Sequence, residues 1–242
     1  MSELDPATLG WFNEALDHAL QGLDPEHLLP PERVEKLRTL PRKLERHAAG
    51  ERVTAGAPMR RLKWIVSGWA GEMHVLPDTR RQICSLLLPG DIFAAPPVGQ
   101  NLRRGVVALT RLDCLDVPSL IDGLDETGDM NALIENRLRD QTERRYDHLT
   151  RLGQLSAPQR LAHLLLELHE RLRVAGLASD NHFRLPLTRE HLADALGLSV
   201  VHLDRSLRML RVRRLLDIRF GGVTLLDQRE LLVLAGREPH AV

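Results

Sequence analysis

The chain has few cysteines: two in 242 residues, Cys84 and Cys114. Two thiols cannot build a disulfide scaffold, and their spacing fits no zinc-binding pattern. An iron–sulfur centre, which commonly takes four cysteines, is not expected for the same reason. No apolar run is long enough to span a bilayer, and the acidic start, Ser2-Glu3-Leu4-Asp5, is not that of a signal peptide. A cytoplasmic protein with no membrane partner is expected. Net charge is missing too, since 33 basic residues meet 33 acidic ones. Along the chain the balance is uneven. From Thr150 onward 14 arginines stand against 10 acidic residues, which makes that part +4 and the remainder −4. Lysine disappears after Lys63. The C-terminal excess of arginine suits a phosphate-bearing partner. Eleven histidines form no metal-ligand spacing, and His74, two residues after Glu72, is most simply a half-exposed strand residue.

What is present is an apolar fraction of 43%, enough for cores in one or two domains. The most organised stretch is Thr188 to Leu210. Leu192, Ala193 and Leu196 share one side of a first short helix; Leu203, Leu207 and Leu210 recur at helical spacing in a second. Thr188 and Ser199 stand where N-caps belong, and Gly197 supplies the turn between the helices. Two amphipathic helices meeting at a glycine read as a helix-turn-helix. The second helix turns Val200, Val201, His202, Asp204, Arg205 and Arg208 outward. Arginine pairs bidentately with guanine edges and valine packs on a thymine methyl. Two strand-like runs around Gly221-Gly222 follow, Leu215 to Ile218 and Phe220 to Leu226, and such a hairpin behind a helix-turn-helix is a wing.

Upstream, Pro6 to Leu23 reads as a helix with Leu9, Phe12, Leu16 and Leu20 on one face, and Glu32 to Leu40 as a second, stopped by Pro41. Short strands are expected at Arg52 to Thr54, Lys63 to Gly68, Gly71 to Leu76, Gln82 to Leu88, Val106 to Leu109 and Cys114 to Val117. That spacing indicates an antiparallel barrel or jelly roll. A long helix is expected from Asp129 to Leu155, where Ile134, Leu138, Gln141, Arg145, His148, Leu152 and Leu155 keep the 4-3 spacing of a coiled-coil seam. The polar middle of that stripe leaves packing against the barrel as an alternative. Another helix follows from Gln159 to Val174. The fold class is therefore α+β, divided into N-terminal helices (1–41), a β-barrel (42–128), a long helix (129–155) and a winged helix-turn-helix domain (156–242).

Leu187 to Leu226 resembles the winged helix of the Crp/Fnr family of bacterial transcription regulators, most closely over Arg205-Ser206-Leu207-Arg208-Met209-Leu210. The likeness extends to about Gly50 through Leu88-Pro89-Gly90-Asp91-Ile92-Phe93, similar to the family's barrel turn, and through Ala162 to Leu168. The resemblance implies a homodimer joined by the 129–155 helix, a cyclic-nucleotide-binding-like sensor barrel and a two-fold operator in double-stranded DNA. It also implies contact with RNA polymerase if the protein activates. By resemblance Arg205, Val200 and Val201 are base-reading, and Thr188, Arg189, Ser199, His202 and Arg208 touch phosphates. The valines depart from the arginine or glutamate frequent in the family, which puts the familiar operator in doubt. The family's cyclic-nucleotide binders hold ribose with a glutamate after the Pro-Gly turn and phosphate with an Arg-Ser or Arg-Thr pair. Here Ala94-Ala95-Pro96-Pro97 follows the turn and Arg103-Arg104-Gly105 lacks the hydroxyl, so cyclic AMP is not expected. No cofactor is predicted, haem ligation by His74 or Cys84 stays open, and the effector is unassigned, with Arg103, Arg104 and Cys84 as candidates. Two other readings share parts of this pattern. One is a regulatory module that binds a small ligand or a protein but no longer reads DNA; the other is a metal-dependent jelly-roll enzyme.

Overall fold

Trp64, Ile65 and Val66 are consecutive and all buried, yet a strand sends neighbours to opposite faces. Both faces of their sheet must therefore be covered, and the architecture follows from what covers each. The computed structural model describes residues 6–39, 44–54, 61–97, 103–117 and 129–237. Eight strands, β1 (Glu45–His47), β2 (Arg52–Val53), β3 (Arg61–Ser67), β4 (Ala70–Val75), β5 (Arg81–Leu87), β6 (Ile92–Ala95), β7 (Arg104–Ala108) and β8 (Leu112–Asp116), form two antiparallel four-stranded sheets ordered β1-β8-β3-β6 and β2-β7-β4-β5. Ile65, Phe93 and Leu112 from one sheet meet Val53, Leu87 and Val106 from the other in a shared interior.

The opposite face of the first sheet is covered by helix α1 (Pro6–Leu23). Phe12, Leu16, Ala19 and Leu20 lie on Trp64, Val66, Ile92 and Leu115, joined by Met130, Leu133 and Ile134 from the start of helix α3 (Asp129–Gln154). A shorter helix, α2 (Pro31–Thr39), lies between α1 and β1 in the chain. The fit of α1 against the barrel is close: a Cβ at Gly22 would lie 2.8 Å from the Pro89 carbonyl oxygen, and one at Gly90 would lie 2.8 Å from Gly22. Gly90 also has φ +90, which favours glycine. The Leu88–Asp91 turn therefore pins the helix as well as joining two strands.

The second sheet gives its outer residues, Met73, Ile83 and Leu86, to the C-terminal core. That core is built from helix α4 (Ala157–Val174), whose Leu161, Leu164, Leu165, Leu168 and Leu172 are buried, together with α5 (Arg189–Leu196), α6 (Val200–Val212), a small sheet of order β10-β11-β9 and α7 (Gln228–Ala235). In that sheet β9 is His182–Arg184, β10 Leu216–Arg219 and β11 Gly222–Leu225.

Most expected elements appear within a residue or two. Two barrel strands, β1 and β6, were not expected: β1 is three polar residues, Glu-Arg-His, and β6 was read as part of the turn. β9 and α7 were not expected either. Leu40, Pro41 and Pro118 lie outside the described residues, as does the Leu9 side chain.

Candidate nucleic-acid interface

Thr188 caps α5: its Oγ1 accepts a hydrogen bond from the His191 N–H at 3.2 Å, and His191 Nδ1 approaches the Thr188 N–H at 3.5 Å. Gly197 ends the helix at φ +62, and the Leu198 N–H reaches back to the Ala193 carbonyl. The next helix, α6, begins at once, Ser199 Oγ accepting from the His202 N–H at 3.3 Å. Two caps and one left-handed glycine thus fix the angle between the helices. Leu192, Leu196, Leu203, Leu207 and Leu210 fill the corner between them.

On α6 the period of 3.6 sorts the residues. Leu203, Leu207 and Leu210 face inward, and Val200, three positions before Leu203, is half-buried with them. The structure therefore turns Val200 partly toward the core instead of fully outward. Val201, His202, Asp204, Arg205 and Arg208 form the exposed face, with Val201 68% exposed. Among the described residues Arg205 and Arg208 have no hydrogen-bond or ion-pair partner, so both guanidinium groups are unengaged. Arg189 is engaged: Asp204 Oδ1 holds its Nη1 at 2.9 Å. Beside α6, a groove of about 460 Å³ is lined by Arg189, Asp204, Arg208, Arg211 and Ile218. The β10–β11 hairpin borders it, turning at Phe220 (φ +51) and Gly221 (φ +76), with Phe220 fully exposed at the tip.

A second cleft, of about 450 Å³, lies on the barrel between Glu72, His74, Cys84, Ala94, Pro96 and Arg104. Arg104 and Cys84 line it; Arg103 is not among the lining residues. Burial and the Glu72 carboxylate push the Cys84 thiol up, the opposite of what a reactive thiolate needs. Glu72 is not free to form a metal pair with His74, because Arg145 of α3 grips it at 2.9 and 3.0 Å.

Arg145 belongs to the stripe expected to be a dimer seam, and the structure turns that stripe onto the same chain. Ile134 and Leu138 lie in the core under α1, Gln141 is buried, His148 is sunk beside Arg151 and Glu167, and Leu152 abuts Gly197. Arg145 finds a carboxylate in the barrel and His148 lies near charges on α3 and α4, whereas both amide atoms of the buried Gln141 have no hydrogen-bond partner among the described residues. Between these partners lies a network that spacing did not reveal. Asp91, fully buried at the barrel turn, accepts from the Leu88 N–H at 2.8 Å and meets Arg137 at 3.1 Å and Arg144 at 3.3 Å on α3. Arg171 of α4 bonds the same carboxylate and also Glu167, which in turn holds the buried Arg151. Despite full burial, which acts in the other direction, the three guanidinium groups hold the Asp91 carboxyl down at about 2. The sequence signal for this node was slight: one carboxylate in an otherwise apolar turn. Farther along the domain contact, Arg81 of β5 pairs with Asp194 of α5 at 2.9 Å, and Gln82 reaches the Ala195 carbonyl at 3.4 Å.

Residues 159–234 match the Crp-like helix-turn-helix domain. The nitrogen fixation regulation protein FixK of Bradyrhizobium diazoefficiens is 31% identical over 175 residues, 71% of this chain and 72% of that protein. The chain belongs to the Crp/Fnr family. The transcriptional activator protein FnrL of Cereibacter sphaeroides is 28% identical over 193 residues, covering 77% of this chain and 75% of FnrL. The solved structure of FixK2 from Bradyrhizobium japonicum shares the fold at TM-score 0.66, with 24% identity over 82% of this chain and 98% of that one. Like the rest of the Crp/Fnr family, this protein is a DNA-binding transcription regulator, not an enzyme. No described helix is long and apolar enough to cross a membrane.

Proposed function

We propose that this regulator reads a two-fold operator as a homodimer, with Arg205 contacting a guanine edge and Val201 the neighbouring base. The carrying observation is the outward, unpartnered guanidinium of Arg205 on a helix whose opposite stripe is locked into the core. Thr188, Ser199, His202 and Arg208 would meet phosphates, helped by the free N–H groups at the starts of α5 and α6. Arg189 joins them once phosphate displaces Asp204. The parts follow the chain: N-terminal helices (1–41), sensor barrel (42–128), dimer helix (129–155) and DNA-binding domain (156–242). RNA polymerase is the further partner if the regulator activates.

The dimer seam we assign is the outward face of α3. Ala132, Glu135, Arg139, Thr142, Tyr146, Leu149 and Gly153 are all exposed there at alternating three- and four-residue steps. Recognition helices must sit about 34 Å apart to enter successive grooves. A signal at the barrel would reach them through Glu72–Arg145 and through Asp91, whose arginines come from both α3 and α4. The barrel cleft containing Cys84 and Arg104 would take the effector.

Selection of genomic fragments by the purified protein, followed by footprinting, tests the reading. The native protein should protect a palindromic site. Arg205→Ala should cost about 1–3 kcal/mol and relax preference at one base position per half-site. Uniform, sequence-independent binding by the native protein would favour the module that does not read DNA.

A further inference from the structure

Glu45 and His47 occupy alternate positions of β1 and face the same side; β1 pairs with β8 so that Glu45 stands opposite Cys114. One donor atom from each of the three lies within 4.8 Å of the others. Cys114 is fully buried, His47 nearly so, and Glu45 is partly exposed, which leaves an entry from solvent. His47 is already oriented: its Nδ1 lies 3.0 Å from Glu51 Oε1, and Glu51 also accepts from the Ala48 N–H at 2.9 Å. An imidazole that donates through Nδ1 carries its lone pair on Nε2. That Nε2 is buried without a hydrogen-bond partner, and Glu45 Oε2 stands 3.8 Å from it. The imidazole lone pair faces that carboxylate oxygen, which the Lys63 ammonium holds at 2.6 Å, a cation standing where a metal ion would compete. Bonds of about 2.0–2.2 Å to nitrogen and oxygen and about 2.3 Å to sulfur match this scale after a small contraction.

We propose that Glu45, His47 and Cys114 form a binding site for one divalent transition-metal ion, with zinc the best match, and that Glu51 is its outer carboxylate. The donor set decides the class. A thiolate and an imidazole select zinc-like ions, whereas magnesium and calcium prefer oxygen throughout. The Glu51–His47 pair is the carboxylate–histidine arrangement that raises a ligand's basicity and fixes its tautomer. Binding releases the Cys114 proton to solvent. Lys63 is the competing cation, its Nζ 2.6 Å from Glu45 and 3.2 Å from Asp116. On loading, the ammonium yields Glu45 and keeps Asp116. Three protein ligands leave a fourth position for water or a small exogenous ligand. The ion would tie the short edge strand β1 to β8, the last described strand of the barrel before α3.

The test titrates cobalt(II), a spectroscopic substitute for zinc, into reduced, metal-free full-length protein. One equivalent should produce thiolate-to-cobalt charge transfer in the near ultraviolet, and zinc should bleach it. Cys114→Ser should abolish the band and Cys84→Ser should leave it intact. By zinc competition, Glu51→Gln should weaken affinity about 10–100-fold and His47→Gln at least as much. If buried Cys114→Ser fails to fold, the two β1-side variants decide, because they replace half-exposed or edge-strand groups. No saturating band, a band that depends on Cys84, or unchanged zinc affinity in both His47→Gln and Glu51→Gln would overturn the site.

Discussion

Asp204 is the one carboxylate on the exposed face of α6, and it also lines the groove beside that helix. It sits beside Arg205 on the recognition helix and holds Arg189 at 2.9 Å, with both side chains about half exposed. An ion pair that open to water contributes about 0–1 kcal/mol, so DNA phosphate can compete for the arginine at little cost. The carboxylate still repels phosphate and lowers the charge offered to the duplex. Asp204→Asn should therefore raise affinity severalfold for any DNA sequence and steepen the salt dependence by about one phosphate contact, while the base preference we propose for Arg205 stays unchanged. Titrations on operator and random duplexes over a range of salt measure both effects. A gain confined to the operator would show that Asp204 takes part in base reading.

Among the elements, α1 and α3 carry the clearest consequences. The first rests on the Leu88–Asp91 turn with no room for a methyl group at Gly22, where backbone atoms of Pro89 and Gly90 stand within 3.2 Å of a Cβ position. Gly22→Ala should lift the end of α1 from the barrel and cost about 1–3 kcal/mol in chemical denaturation, although alanine is the better helix former. The second has two stripes with separate duties. Its inner stripe is used up by Glu72, Glu167 and the apolar core, and its outer stripe exposes Tyr146 at 62% and Leu149 at 64%. Leu149→Asp should dissociate the dimer we propose in sedimentation experiments and abolish operator binding, while each chain keeps its helical content. A native protein that sediments as one chain at working concentrations would remove the outer seam.

At the scale of the molecule, buried titratable groups make stability depend on pH. His148 lies between α3 and α4, where burial and Arg151 lower its pKa to about 4 from 6.5. Burial lowers His163 as well. Between those limits the unfolded chain binds a proton that the native His148 refuses, so stability falls as pH drops from about 6.5 toward 4. The loss at that site is on the order of 3 kcal/mol. Asp91 behaves differently: its stabilising contribution is complete above the ordinary carboxylate value near 3.8 and fades only as pH falls toward about 2. Urea midpoints should therefore decline through the weakly acidic range, and His148→Gln should flatten that decline, leaving stability near pH 7 little changed and raising it relative to the native chain near pH 4. A midpoint independent of pH from 7 to 4.5 would show that His148 ionises freely in the native state.

The helix-turn-helix was legible because its signals are local. Caps at Thr188 and Ser199, a glycine at 197 and leucines at helical spacing act within a few residues of one another, and each was found in its expected role. The antiparallel character of the barrel was legible from the spacing of short strands, but β1 was not, since three polar residues carry no apolar period and gain strand form only by pairing with β8. The heptad on α3 was real, but its partner could not be read from spacing, because a stripe records that a face is covered and not what covers it. The same limit hid Asp91, which takes arginines from positions 46 to 80 residues away, and it hid the meeting of His47 with Cys114. Periodicity and capping act along the chain and are written there. Pairings between charges, and the choice of which face meets which domain, arise only when distant segments share one interior of low dielectric.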